Sequence, residues 1–328
     1  MTSNPYYAGP KSDHFDGLRF QIPGGPDDRS LGDLAKMLWD SRRGRTPWPR
    51  VGVSTPLAPP PPRVESSAIR LTFIGHSSFL LQTEGVNLLL DPVWSERAGP
   101  AGFGPRRVTA PPLALPELPD LDAVLVSHNH YDHLDLATLG RLAKLKPSRV
   151  LTPLGNDTIL KRHDKAIAAE AYDWNETARV GPLKVHFEPA LHWSARGRGD
   201  RRMALWSSFV IEGPKHRIYF AGDTGYGDGG LFEGLARKHG AFRLAILPIG
   251  AYAPRWFMRD MHCDPEEAVK IFQHLNADFA FACHWGTFRL TQEPYDEPRQ
   301  RLAAALEKAA IDPARFRADP PGTSVEWL

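Results

Sequence analysis

One stretch constrains this chain more than any other: Ser127 to Asp135 reads SHNHYDHLD, three histidines and two aspartates in nine residues, from a chain with 13 histidines in 328. It directly follows LDAVLV (121–126), an apolar run with strand character. His128, Asn129, His130, Tyr131, Asp132 and His133 are therefore expected on a loop leaving the carboxyl end of a strand. Neutral imidazoles and carboxylates are first-choice ligands for zinc and similar ions. His128 and His130, two apart, can turn toward one ion while Asp132 and His133 face a neighbour.

Four ligands do not fill two sites, so further donors are expected at other strand ends. LKVHFEPALHWS reaches His192, HRIYFAGDTGYGD reaches Asp223 between glycines, and FAFACHWGT reaches His284. The expected grouping is His128, His130 and His192 around one metal and Asp132, His133 and His284 around the other, with Asp223 bridging. Two ions about 3.5–4 Å apart activate water and polarise an ester oxygen, which makes hydrolysis the expected chemistry. An imidazole-rich donor set favours zinc and leaves iron and manganese open. Asp91, ending NLLLDP, is a candidate to accept the free N–H of a ligating imidazole. Its alternative role is a turn residue before Pro92. His76 in IGHSSF either faces the site or is a satisfied core histidine, and Asp135 is a candidate cap for the next helix.

From Ile69 onward, short apolar strands alternate with turns and a few helices, which predicts an α/β domain of two sheets between helix layers. Helices are expected at LDLATLGRLAKL, LFEGLARKHG, DPEEAVKIFQHL and EPRQRLAAALEKAA. Asp264 before Pro265, Glu266 and Glu267 is a strong helix start. No internal repeat is visible. Residues 1–66 form a proline-rich arm, with a short helix expected where Leu31, Leu34, Ala35 and Leu38 recur behind Ser30; residues 67–328 form the hydrolase domain. The 40 basic and 38 acidic residues nearly balance, which argues against a nucleic-acid partner. Two cysteines, Cys263 and Cys283, suit a reducing compartment. Without a secretory signal or a long apolar run, the expected location is cytoplasmic, with peripheral membrane contact open.

The order of ligands resembles the metallo-β-lactamase superfamily, which implies an αββα sandwich of two mixed sheets flanked by helices. Within it, IGHSSFLLQ, LLLDPVWSERAGP, LPDLDAVLVSHNHYDHLD, LHW, FAGDTGYG, LPIGAYAPRWFM, HCDPEEAV and HWGTF, across roughly residues 71–290, are similar to the N-acylphosphatidylethanolamine-hydrolysing phospholipases D. That resemblance implies that the seven residues grouped above are zinc ligands and that His262 is a non-ligand histidine of the substrate pocket. It further implies a phospholipid substrate cut on the head-group side, yielding phosphatidic acid and an N-acylethanolamine. Asp223 and His262 are then the candidate catalytic residues. Tyr252, Arg255, Trp256 and Phe257 are candidate substrate contacts, and Arg196, Arg198, Arg201 and Arg202 are candidates for an anionic head group. The rival readings are a metal-dependent lactonase or small-ester hydrolase of the same superfamily and a non-catalytic lipid-binding relative. AYAPRWFM and HCDPEEAV weigh against the first, and a complete ligand set weighs against the second.

Overall fold

Each half of the domain is a seven-stranded sheet. The computed structural model describes residues 3–23, 56–197 and 199–328, with positions 25, 30, 32, 33, 36, 37, 39, 48 and 49 between them. Positions 32, 33, 36, 37 and 39 of the arm are helical, where the sequence predicts a short helix, while Leu31, Leu34, Ala35 and Leu38 lie outside the described residues, as does Arg198. The first sheet contains β1 (Ile69–Gly75), β2 (Ser78–Thr83), β3 (Val86–Leu90), β4 (Ala123–Leu125), β5 (Arg149–Pro153), β6 (Ala168–Tyr172) and, on the outer side of β1, the C-terminal β14 (Ser324–Trp327). The second runs in order from β7 (Thr177–Val180) through β8 (Leu183–Glu188), β9 (Ser208–Glu212), β10 (Arg217–Phe220), β11 (Leu244–Pro248) and β12 (Phe279–Cys283) to β13 (Phe316–Arg317). Both sheets show the same succession, three antiparallel pairings followed by three parallel ones.

Side chains alternate across each strand, so one face of each sheet meets the other sheet and the opposite face meets helices. In β2, Phe79 and Leu81 join Phe187, Phe209, Phe220, Ile246 and Phe281 in the core between the sheets. Leu80, between them, points outward with Leu89 and Val124 against α1 (Leu136–Leu145) and α2 (Asn156–His163). Behind the second sheet, Tyr219, Ala245 and Ala280 pack on α3 (Gly230–His239), α5 (Pro265–His274) and α6 (Glu297–Lys308). A single turn, α4 (Arg255–Met258), lies ahead of α5. This is the αββα sandwich expected from the sequence.

Two helix starts at the site are made by side chains. Asp135 accepts hydrogen bonds from the N–H groups of Ala137 and Thr138 at the head of α1. Asp264 and Glu267 form a reciprocal capping box on α5. The proline run is ordered because it supplies acceptors to the sheet end: the carbonyls of Pro61 and Pro62 accept from the Gln82 and Asn87 side-chain amides, both at 2.8 Å. Cys263 and Cys283 are buried and unbridged.

Candidate metal centre

Six strand ends converge on one edge of the sandwich. β4 leads into Ser127–Asp135, β8 is followed by His192, β10 by Asp223 and β12 by His284, while His76 and Asp91 come directly after β1 and β3. The approach is close enough to require glycine at 222, where φ is +58° and a Cβ would stand 2.8 Å from the Ser127 Cβ. His76, Asp91 and His284 also take positive φ, at 56°, 36° and 61°. Such backbones are costly for non-glycine residues and persist only where surrounding bonds fix them. Here the His284 N–H donates to the His76 carbonyl at 2.8 Å, and the His76 N–H donates to Thr287 Oγ1 at 2.8 Å.

The converging side chains fall into two groups joined by one carboxylate. His128, His130, His192 and Asp223 form the first; His76, Asp132, His133 and His284 form the second; Asp223, His262 and His284 make a third, overlapping set, with donor atoms within 4.8 Å of one another in each. Nε2 of His128 and Nε2 of His192 lie 2.9 and 3.2 Å from Nδ1 of His130. Asp223 Oδ2 stands 3.6 Å from His192 Nε2 and 3.3 Å from His133 Nε2, while its Oδ1 stands 3.1 Å from His284 Nε2. The Asp223 carboxylate thus lies between the two groups, within 3.6 Å of imidazole nitrogens from each. His76, for which the sequence left two roles open, faces the site: its Nε2 is 2.8 Å from Asp132 Oδ2.

Outer partners turn the imidazoles inward. His133 Nδ1 donates to Asp91 Oδ2 at 2.7 Å, and His192 Nδ1 donates to the Met261 carbonyl at 2.9 Å. Ser127 Oγ donates to Asp91 Oδ2 at 2.6 Å and, by accepting from His128 Nδ1 at 2.9 Å, orients that ring as well. Each bond leaves Nε2 aimed at the centre, the usual arrangement for a histidine that binds metal. Of these partners, Asp91 was a candidate in the sequence, whereas Ser127 and the Met261 carbonyl were not; for Ser127, its place immediately before the first histidine was the available signal.

Burial pushes His128 well below the ordinary histidine range, His130 down to about 3 and His192 to about 4, so these three rings carry free lone pairs. Burial acts the same way on His133 and His284, but Asp223 and Asp132 overcome it, raising His133 well above the usual value and His284 to about 9. Burial alone would push both aspartates up, yet His133 holds them well below the carboxylate range, with His284 assisting. His130 Nε2, His133 Nε2, His284 Nε2 and Asp223 Oδ1 are buried without a hydrogen-bond partner. Buried polar atoms are nearly always paired. A concentration of unpaired nitrogen and carboxylate donors at one point fits divalent cations.

Several expected substrate contacts are engaged elsewhere. Tyr252 is buried and its hydroxyl donates to Glu297 Oε1 at 2.6 Å. Arg255 donates to the His262 carbonyl and to Glu267 Oε2, both at 2.7 Å, so it holds the pocket histidine and is not a free cation. Phe257 is buried, while Trp256 is half-buried, with its ring 5.6 Å from that of Phe257 and Lys36 Nζ 4.4 Å from its centroid. Arg196 bonds backbone carbonyls and Arg201 lies 3.6 Å over the Trp193 ring, so neither stands as the open head-group cation expected from the sequence. His262 does reach the site, its ring centroid 5.0 Å from that of His192 and 5.4 Å from that of His284.

Residues 86–285 match the β-lactamase superfamily domain. An uncharacterised protein of Mycobacterium tuberculosis is 40% identical over 293 residues, covering 83% of this chain and 76% of that one. The N-acyl-phosphatidylethanolamine-hydrolyzing phospholipase D 1 of Caenorhabditis elegans is 38% identical over 252 residues, covering 74% of this chain and 70% of that one. Among solved structures, an isothiocyanate hydrolase from Delia radicum gut bacteria superposes with a TM-score of 0.62 at 20% identity, over 78% of this chain and 98% of that one, a likeness of fold. Together with the convergent histidines and aspartates, these matches place the chain in the metallo-β-lactamase superfamily, as a metal-dependent hydrolase similar to the N-acylphosphatidylethanolamine-hydrolysing phospholipases D.

Proposed function

We propose that this protein hydrolyses a phospholipid phosphodiester on the head-group side, converting N-acylphosphatidylethanolamine to phosphatidic acid and an N-acylethanolamine. Two divalent ions, zinc first among them, would be held by His128, His130 and His192 and by Asp132, His133 and His284, with Asp223 between. When bound, such ions supply Lewis acidity toward a phosphoryl oxygen and acidify water.

The observation that carries the reading is His262. It is buried at the centre, its Nδ1 has no hydrogen-bond partner, and burial pushes it well below the usual histidine range, so the ring is neutral. A neutral imidazole so placed donates one hydrogen bond to a phosphoryl oxygen or to the departing head-group oxygen, where charge develops in the transition state. Arg255 fixes its carbonyl, and the His262 N–H bonds the Met258 carbonyl at 2.9 Å, so the ring is presented by the α4–α5 turn in one orientation. Trp256, on α4 just ahead of that turn, is half-buried and is the candidate among the aromatics to meet acyl chains. Among the described residues no helix is long and apolar enough to cross a membrane; the proposed contact with lipid is a peripheral one.

The test is to count metals per chain by elemental analysis and to offer the same sample N-acylphosphatidylethanolamine in mixed micelles. Phosphatidic acid should form, vanish in Asp223→Asn, and fall about 100-fold or more in His262→Ala, within the range of a positioned acid–base group. Two metals without phosphatidic acid, but with turnover of a lactone, would transfer the site to the small-ester hydrolases.

A further inference from the structure

We propose that Arg196 is a positioning residue that locks the two ligand-bearing loops of the centre to each other, an inference that rests on the metal-centre reading above. It lies four residues beyond His192, on the loop that carries that histidine. Its Nη1 donates to the Asn129 carbonyl at 2.9 Å and to the Leu134 carbonyl at 2.7 Å. Those two carbonyls bracket His130, Asp132 and His133, so one nitrogen spans the turn that supplies ligands to both groups. The guanidinium carbon stands 4.0 Å over the Tyr131 ring, and the Tyr131 hydroxyl donates back to the Arg196 carbonyl at 2.8 Å. The contact is reciprocal: each loop holds a side chain of the other.

The chemistry of the partners separates this role from that of a surface cation. Arg196 is half-buried, and the groups its guanidinium contacts are two carbonyl dipoles and a ring face. The far side of its loop is fixed independently, since Asp200 accepts from the Arg196 and Gly197 N–H groups at 3.2 and 2.9 Å and from the Tyr6 hydroxyl at 2.9 Å. Arginine suits the task because a planar, permanently charged fork can stack and donate in its plane at once. Lysine keeps the charge but cannot stack as a plane while reaching both carbonyls.

The experiment follows Co2+ binding to the metal-free protein by visible ligand-field absorption and chelator competition, alongside thermal melting without metal, in wild type, Arg196→Lys and Tyr131→Phe. Arg196→Lys should weaken Co2+ binding on the order of 10–100-fold, the usual effect of removing a group that orients ligands, and should alter the absorption spectrum, with the metal-free melting temperature changed little. Tyr131→Phe should shift affinity in the same direction by a smaller factor, and it decides the matter alone if the lysine variant does not fold. Folded variants with wild-type affinity and spectrum, whatever their melting temperatures, overturn the positioning role and leave the hydrolase reading intact. A wild type that takes up no Co2+ overturns the metal centre itself, and this inference with it.

Discussion

Asp91 shows how much of this centre is decided by a residue that need not touch the substrate. Its carboxylate accepts from the Ser127 N–H at 2.7 Å, the Ser127 hydroxyl at 2.6 Å and His133 Nδ1 at 2.7 Å, in full burial. Burial pushes its pKa up, and the hydrogen bonds from His133 and Ser127 work against that rise. Asp91→Asn keeps the volume but must satisfy two side-chain donors and a backbone N–H with one carbonyl oxygen. Its amide would meet the His133 N–H donor to donor, so His133 would lose the tautomer that turns Nε2 inward. The expected outcome is a folded protein with metal affinity lower by about 10–100-fold, read by titration against a chromophoric chelator. Unchanged affinity would make Asp91 a turn residue only. At this scale the sequence was most informative about donors, because His128, His130, Asp132, His133, His192, Asp223 and His284 each follow an apolar run. It was less informative at Tyr252 and Arg196, whose partners Glu297 and Asn129 stand 45 and 67 residues away and are chosen by tertiary approach.

Among the elements, the long helices were legible and the short ones were not. α1, α3, α5 and α6 each span ten or more residues with a clear apolar stripe. α2 has eight residues, with Ile159 and Leu160 as its buried apolar side chains, too few to show a helical period. β7 alternates exposed and buried over just four residues, and β14 pairs with β1 across the length of the domain. The shared pairing order of the two sheets is likewise invisible in the residues, because it is a property of backbone direction. A junction between elements offers a test of its own. Glu188, the last residue of β8, is buried and bonds Lys238 Nζ at 2.7 Å and His239 Nε2 at 2.9 Å near the end of α3. Burial opposes ionisation, but His239 and Lys238 hold the Glu188 carboxyl below its usual value. A depressed carboxylate contributes stability above its unfolded pKa, about 4.3, and loses it as pH falls through the folded value. Wild type should therefore lose stability below about pH 4.3 more steeply than Glu188→Gln, which should be less stable at pH 7 by about 1–3 kcal/mol. Urea melts across that range would show it, and parallel acid limbs in the two proteins would remove Glu188 from the account.

For the whole molecule, the amino-terminal segment matters because it braces the loop that follows His192. Phe15 and Phe20 are fully buried against Trp174, Ala190, Leu205 and Trp206, a cluster that the proline-rich composition of the arm did not announce, since isolated aromatics carry no period. The Phe20 N–H donates to the Arg202 carbonyl at 2.7 Å, Arg19 reaches the Arg201 carbonyl at 2.5 Å, and the Asn4 side chain bonds the Met203 carbonyl at 2.8 Å. His14 adds a link between Asp13 and Asp173, at 2.6 and 2.8 Å, while stacking on Trp174. The segment thus closes over residues 200–203 from outside while Arg196 holds the same loop to the ligand turn from within. Removing the outer support should loosen the loop first, because local opening follows the loss of buried contacts. Phe20→Ala should cost about 3–5 kcal/mol of stability and speed tryptic cleavage in the arginine-rich stretch 196–202 ahead of other sites. Loss of stability with cleavage spread evenly along the chain would mean that the arm stabilises the sandwich as a whole without guarding the His192 loop.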